Sequence, residues 1–254
     1  MIIRNFTSNK LGMTGLIVFL CIFLFVMIGP KFFVLDLSYN DNTQTNVPPT
    51  LSMLSVPEGL EGNVKDITPG TTFGVGVDNN GKVYTWGYTK ITEVIDVGII
   101  PEEVKEAHIE QIAAGYDHIA AIDDAGRVYV WGNDRLGQTN LPSEITTAMM
   151  MKKNLGFKQL EAGFQFTAAL TEDGNLYMWG NQNMADIKVR SAYQGHIEKI
   201  ALTTYNCVAL LDDGTVAYVG LQNNAIAERL PAELDNVVDI AATGNTVAAV
   251  DADG

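Results

Sequence analysis

The sequence predicts an all-β fold of repeated small sheets behind a single N-terminal α-helix. Two observations carry this prediction. Residues 11–30 form an apolar segment without a single charge. Farther along, glycines recur at nearly regular intervals, and each one closes a short polar turn: Gly81, Gly126, Gly174, Gly214 and Gly254. A period of about 40 residues is typical of architectures that stack one small unit on the next.

The N-terminal helix has the properties of a membrane anchor. Twenty residues at about 1.5 Å rise cover roughly 30 Å, the thickness of the hydrocarbon core. Pro30 ends the helix because proline cannot continue the hydrogen-bond ladder. A cleaved signal peptide is the alternative, but the apolar run exceeds the usual ~7–15 residues and no small-x-small site follows. With Arg4 and Lys10 as its only charges, the N-terminus is expected to stay in the cytoplasm.

Four segments therefore follow one another along the chain. We predict a cytoplasmic N-terminus (residues 1–10), a transmembrane helix (11–30), a polar extracytoplasmic linker (31–56) and the repeats (57–254). The linker is rich in Asn, Thr, Ser and paired Pro, which favour turns over packed elements. The expected location is the plasma membrane, with the repeats extracellular.

Each repeat has the pattern of short β-strands. In unit two, Ile109–Ala113, His118–Ile122 and Arg127–Trp131 are separated by Gly115 and by a turn ending at Gly126. Glycine suits that turn because a tight hairpin needs a residue with positive φ. Apolar residues on both strand faces indicate sheets covered on both sides, as between propeller blades. We interpret the array as an incomplete β-propeller of four-stranded blades, with four complete units and a truncated fifth.

Residues 108–142, HIEQIAAGYDHIAAIDDAGRVYVWGNDRLGQTNLP, resemble the regulator of chromosome condensation repeat. The specific features are Ala-Ala-Gly, His118, Trp131-Gly132 and Gly137-Gln138. Units one and three keep the Gly, Tyr and Trp-Gly positions, whereas unit four has Val219-Gly220. The resemblance implies a propeller of seven blades. Because an unclosed ring exposes a sheet edge, we expect this sequence to be the N-terminal part of a longer product.

Residues 4–33, RNFTSNKLGMTGLIVFLCIFLFVMIGPKFF, are similar to the N-terminal segment of permease subunits of oligopeptide and dipeptide ABC importers. The resemblance extends into the linker, at Pro48-Pro49-Thr50, but the family's next Gly-Thr-Asp/Gly-Arg-Asp stretch does not follow. It implies a permease subunit with an extracytoplasmic propeller that binds protein or peptide, together with partner permease and ATPase subunits. The alternative is a single-pass, surface-anchored propeller acting as a protein-binding or adhesion module. Guanine-nucleotide exchange, known for the eukaryotic namesake, is disfavoured by the predicted extracellular location.

The loops that follow each Trp-Gly position are the predicted partner-binding surface. They differ between units while the scaffold repeats, which is how repeat proteins present binding surfaces. The candidate residues are Tyr88, Lys90, Asn133, Asp134, Arg135, Asn181, Gln182, Asn183, Gln222, Asn223 and Asn224. The tryptophans Trp86, Trp131 and Trp179 themselves are expected to pack between blades.

Other chemistries find no support in the residues. The formal net charge is −14, and the part after residue 30 has 14 basic against 30 acidic residues, which disfavours nucleic acid as a partner. The segment 76–83 has a phosphate-loop spacing but lies between strands. Asp123-Asp124 and Asp212-Asp213 are expected to lie in solvated turns, and His118 to bond between neighbouring strands. We expect no metal, no cofactor and no enzymatic activity.

Overall fold

The computed structural model describes residues 10–32, 55–182, 188–219, 231 and 234–254. The chain divides into two units, Met1–Thr50 and Leu51–Gly254. The first contains helix α1, Lys10–Phe32, which covers the helix predicted over residues 11–30. The large apolar side chains from Leu16 to Ile28 in this helix are exposed. Within the described part of the chain, no helix is both long and apolar enough to cross a membrane.

The second unit is a series of small antiparallel sheets, each formed by consecutive strands. We name these sheets blades one to five. Their strands are β1 (Val64–Pro69), β2 (Phe73–Asp78) and β3 (Val83–Gly87); β4 (Ile109–Ala114), β5 (His118–Asp123) and β6 (Val128–Gly132); β7 (Phe157–Ala162), β8 (Phe166–Thr171) and β9 (Leu176–Gly180); β10 (Ile197–Leu202), β11 (Cys207–Leu211) and β12 (Val216–Val219); and β13 (Val237–Thr243) and β14 (Thr246–Asp251).

Blades one to four have three strands each, so the predicted fourth strand is wrong for the described residues. The reason lies at the end of the third strand. Gly87, Gly132 and Gly180 have φ of 84°, 117° and 121°, which turns the chain out of the sheet. After blade one the chain continues through helix α2 (Glu102–Glu106), and after blade two through helix α3 (Ser143–Met150).

The periodic glycines lie in the hairpins between the second and third strands, as predicted. Gly81, Gly126 and Gly174 all have φ of 77°. The hairpin of blade one also touches the next blade, because the Gly81 carbonyl accepts a hydrogen bond from the Ile109 amide at 3.0 Å. A Cβ atom at Gly81 would lie 2.7 Å from that amide nitrogen. Glycine is therefore required here both for the turn and for the approach of the neighbouring blade.

Hydrophobic cores form between successive blades. The middle strand β5 shows the principle, since all six of its residues are buried and its four apolar residues alternate between two clusters. Ile119 and Ala121 face blade one, whereas Ala120 and Ile122 face blade three. Equivalent clusters join blades three and four, and blades four and five. The blades thus bury their faces against one another, and the predicted all-β array of stacked blades is confirmed.

Candidate functional site

A central funnel of 440 Å³ is lined by the ends of the innermost strands. It is built from equivalent positions of all five units, at a constant distance before each hairpin glycine, with two further residues from blades one and three. The lining consists of Pro69, Gly70 and Thr71; Ala114, Gly115 and Tyr116; Ala162, Gly163 and Phe164; Leu202, Thr203 and Thr204; Ala242, Thr243 and Gly244; and the additional Thr68 and Glu161. The repeat itself therefore creates the cavity.

Backbone hydrogen bonds between blades fix the rim of this funnel. The Tyr116 amide donates to the Gly163 carbonyl at 3.3 Å, and the Phe164 amide donates to the Thr204 carbonyl at 3.3 Å. The Thr204 amide then donates to the Gly244 carbonyl at 2.7 Å. Successive blades are thus tied by their main chains, independently of side-chain identity.

Three aromatic rings follow one another along the same rim. The ring centroids of Tyr116 and Phe164 are 4.5 Å apart, and those of Phe164 and Tyr205 are 5.8 Å apart. Tyr116 is 41% exposed, which leaves part of its ring open to a ligand. Aromatic rings in such contact support one another and offer a π surface to an incoming group.

Among the described residues that line the funnel, Glu161 is the one with a carboxylate side chain. Its Oε1 accepts a hydrogen bond from Gln159 Nε2 at 3.0 Å. Burial raises the pKa of Glu161, and the Gln159 hydrogen bond and nearby Lys199 offset only part of that effect. Gln159 is itself held by blade four, because its Oε1 accepts from the Ile200 amide at 2.9 Å. The carboxylate is therefore positioned by the junction of two blades.

A buried polar network joins blades two and three behind the rim. His118 Nε2 lies 2.8 Å from Thr167 Oγ1, and His118 Nδ1 lies 3.4 Å from Asp117 Oδ1. These are residue types found in nucleophilic catalysis, but His118 and Thr167 have no exposed surface. A substrate cannot reach the hydroxyl, and the bond between the blades agrees with the structural role predicted for His118.

Three of the predicted partner-binding residues come together at a second cavity. Arg135, Asn181 and Gln182 line a space of 420 Å³ between the loop after blade two and the end of blade three. Asn181 is buried, and its Nδ2 donates to Gln165 Oε1 at 2.8 Å. Arg135 and Gln182 are exposed. These two are the members of this group that can reach a partner directly.

The remaining described candidates stabilise their own loops or lie elsewhere. Asn133 Nδ2 donates to Asp117 Oδ2 at 2.7 Å, and Asp134 Oδ1 accepts from the Thr139 amide at 3.3 Å. Tyr88 and Lys90 lie in the loop after blade one, where Lys90 pairs with Glu93 at 2.9 Å. Of the other predicted residues, Asn183, Gln222, Asn223 and Asn224 lie outside the described residues.

Trp131 and Trp179 pack between blades as expected. Trp131 Nε1 donates to the Val97 carbonyl at 2.9 Å, and Trp179 Nε1 donates to the Gln138 carbonyl at 3.0 Å. Each indole thereby fixes the loop that leads into its own blade. Trp86 is half-buried in the first blade.

The acidic turns differ in part from the prediction. Asp124, Asp212 and Asp213 are exposed, but Asp123 is buried. Its Oδ1 accepts from the Arg127 amide at 2.8 Å, and its Oδ2 accepts from Tyr129 Oη at 2.9 Å. Burial and this hydrogen bond raise the pKa of Tyr129 to about 12. Among the described side chains, no three metal-ligating groups meet in a possible ion site.

Two protein families match the sequence. Residues 109–138 and 157–184 match the regulator of chromosome condensation (RCC1) repeat. Residues 1–49 match the N-terminal TM domain of oligopeptide transport permease C. Both resemblances noted in the sequence are thus confirmed. No curated protein sequence matches the chain.

Solved structures with the same fold include RCC1-type propellers. Prp20p from Saccharomyces cerevisiae is 20% identical, with a TM-score of 0.57, and the match covers 76% of this chain and 57% of that one. Human WBSCR16 is 18% identical, with a TM-score of 0.57 and coverage of 75% and 60%. The ectodomain of the Physcomitrella patens receptor kinase CR4 is 19% identical, with a TM-score of 0.52 and coverage of 70% and 47%. The chain therefore spans less than two thirds of the length of each of these relatives.

Proposed function

We propose that this chain is part of a permease subunit of a peptide-type ABC importer, and that its propeller binds protein or peptide outside the cell. The observation that carries the proposal is the order of the two family matches. A permease-type N-terminal segment at residues 1–49 precedes RCC1 repeats in one chain. A propeller joined to such a segment would lie where a transported peptide or its binding protein arrives.

Membrane association is the first part of this proposal. The permease match and the exposed apolar side chains of α1 support it. Arg4 and Lys10 before the apolar segment favour a cytoplasmic N-terminus. Labelling of intact cells with a membrane-impermeant maleimide tests the orientation. Met150→Cys places a thiol at a position that is 83% exposed in the repeat unit.

The labelling result separates the two orientations. We expect Met150→Cys to react on intact cells, while the parent protein gives only the background of Cys21 and Cys207, the latter being fully buried. Labelling that requires permeabilised cells would contradict an extracellular propeller. Recovery of the tagged chain in the soluble fraction after lysis would contradict the membrane association itself.

Binding, rather than catalysis, is the second part. The polar set around His118 is enclosed, whereas the exposed features are a funnel and loops of varied sequence. One relative of the fold gives a precedent in its own case: yeast RCC1 (Prp20) has been crystallised bound to Kap60, and its binding properties to Gsp1p and histones have been characterised. Purification of the tagged protein from its native membrane tests the assembly. We expect an ABC ATPase and a second permease subunit to copurify in stoichiometric amounts.

A surface-anchored propeller without transport is the second candidate. The observation in its favour is that the ectodomain of the receptor kinase CR4 contains a region similar in fold to this chain. In this case the same purification yields the membrane-bound chain without ATPase or permease subunits. That outcome would replace the transporter proposal by the anchored module.

A further inference from the structure

Glu161 breaks the symmetry of the funnel. It directly precedes the rim residues Ala162 and Gly163, and the equivalent residues of the other units are small: Thr68, Ala113, Ala201 and Ala241. It is the only carboxylate among the described residues that line the funnel, and none of them is Lys, Arg or His. Glu161 is thus a half-buried acid in an otherwise uncharged cavity, and its setting differs from that of the solvated acids on the protein surface.

The aromatic rim adds a second, independent element. Tyr116 and Phe164 line the same cavity as Glu161, and Tyr116 is partly exposed. A carboxylate attracts a cation, and aromatic faces stabilise a cation within about 6 Å of the ring. The volume of 440 Å³ falls in the range of small-ligand sites, roughly 300–1,000 Å³.

The hydrogen bonding of the Glu161 carboxylate leaves room for a donor from a ligand. Gln159 Nε2 occupies Oε1, and no hydrogen bond within the described residues occupies Oε2. The nearby cation Lys199 is engaged by Asp239 in the next blade. Asp66 is the other acid that influences Glu161. Its two carboxylate oxygens accept hydrogen bonds from the backbone amides of Ile67 and Ile112. Glu161 is therefore the acid that retains acceptor capacity toward the funnel.

We propose that the funnel binds the ammonium group of a short cationic peptide, with Glu161 as its counter-ion and Tyr116 and Phe164 contacting the peptide at the rim. The choice of a peptide rests on the proposed transport function, whereas the ammonium group follows from the lining. The overall charge of −14 favours the approach of such a ligand. Either a Lys side chain or a peptide N-terminus carries the required group.

Calorimetric titration of the full chain in detergent tests the proposal with trilysine as the probe. We expect one site per chain and no binding of triglutamate. Glu161→Gln should weaken trilysine binding at least tenfold, and Tyr116→Ala several-fold. Glu172→Gln is the matched control, because Glu172 lies exposed in the β8–β9 hairpin at the opposite end of the same blade. Its affinity should stay within twofold of the parent.

Two further ligands identify the source of the ammonium group. N-acetyl-trilysine retains only side-chain amines, and trialanine retains only the α-amine, so the tighter binder reveals which group occupies the funnel. Equal affinity of the parent and Glu161→Gln, or equal losses in Glu161→Gln and Glu172→Gln, would overturn the proposal. Failure of this titration leaves the copurification of transporter subunits unaffected. Conversely, if the peptide binds but those subunits do not copurify, the binding site is supported and the transporter proposal is rejected.

Discussion

His118 Nε2 lies 2.8 Å from Thr167 Oγ1 across the junction of blades two and three, and neither side chain has any exposed surface. The corresponding positions to His118 in blades one and three are Phe73 and Phe166, which pack without a polar partner. In blade four the equivalent residue is Asn206, whose buried side-chain amide has no hydrogen-bond partner among the described residues. The three other junction positions thus hold an apolar ring or a hydrogen-bonded pair. A buried polar group that loses its partner there costs free energy of unfolding.

Removing one partner of this pair should destabilise the propeller. Thr167→Val leaves a buried imidazole nitrogen without a partner, and we expect a loss of about 1–3 kcal/mol in the free energy of unfolding. Adding His118→Phe should recover part of that loss, since both polar groups are then gone. Urea unfolding measures both effects. Thr147→Val, at an exposed position of α3, is the control and should change stability by less than about 0.5 kcal/mol. A double variant no more stable than Thr167→Val would contradict the pairing.

The indole hydrogen bonds predict unequal effects for equal substitutions. Trp179→Phe removes the donor to the buried Gln138 carbonyl, and we expect a cost of about 1–3 kcal/mol for the unsatisfied group. Trp86→Phe is the matched control, because Trp86 is half-buried and its indole makes no hydrogen bond among the described residues. Denaturant unfolding should therefore give a lower free energy of unfolding for Trp179→Phe than for Trp86→Phe. The reverse ranking would show that ring volume, not the indole donor, dominates.

The hairpin glycines combine two requirements that substitution can separate. Gly81→Ala places an alanine at a positive φ and also brings its Cβ atom against the Ile109 amide of the next blade. Gly62→Ala also has a positive φ, 68°, but nothing lies within 4 Å of the added carbon. We expect about 1–2 kcal/mol of destabilisation at Gly62 from the backbone conformation alone. Gly81→Ala should lose more, measured by thermal unfolding, and equal losses would mean that the neighbouring blade adjusts freely.

The repeat period allowed the blades to be predicted, whereas the strand count within them could not be. Glycine spacing and the alternation along β5 depend on local geometry and are visible in the letters. The absence of a fourth strand among the described residues depends on how the chain leaves Gly132 and Gly180, and a Trp-Gly pair is compatible with either course. Helices α2 and α3 follow Pro101 and Pro142, and a proline at such a position fits both a helix start and the opening of a new unit.

The predicted binding loops identified only part of the candidate site. Arg135 and Gln182 are exposed at one cavity, but Asn133 and Asn181 use their amides to bond Asp117 and Gln165. The funnel escaped prediction because its lining is dominated by small residues, which carry no chemical signal. Comparison of the units position by position would have revealed Glu161, since an acid replaces Thr or Ala only there.

Glu161 should impose a pH dependence on stability that its removal abolishes. Burial raises the pKa of this carboxyl in the folded protein, so the folded state retains a proton that the unfolded chain releases. The contribution of Glu161 to stability is therefore present at low pH and is lost as pH rises through the raised pKa. Glu161→Gln removes this loss, and we expect its stability relative to the parent to increase between about pH 4, near the ordinary carboxyl value, and pH 8. Urea unfolding across this range measures the difference, with Glu172→Gln as the control for loss of one exposed charge. Parallel pH curves for the parent and Glu161→Gln would mean that the carboxylate is fully solvated, and a solvated carboxylate would also lack the enclosed setting that a bound ammonium group requires.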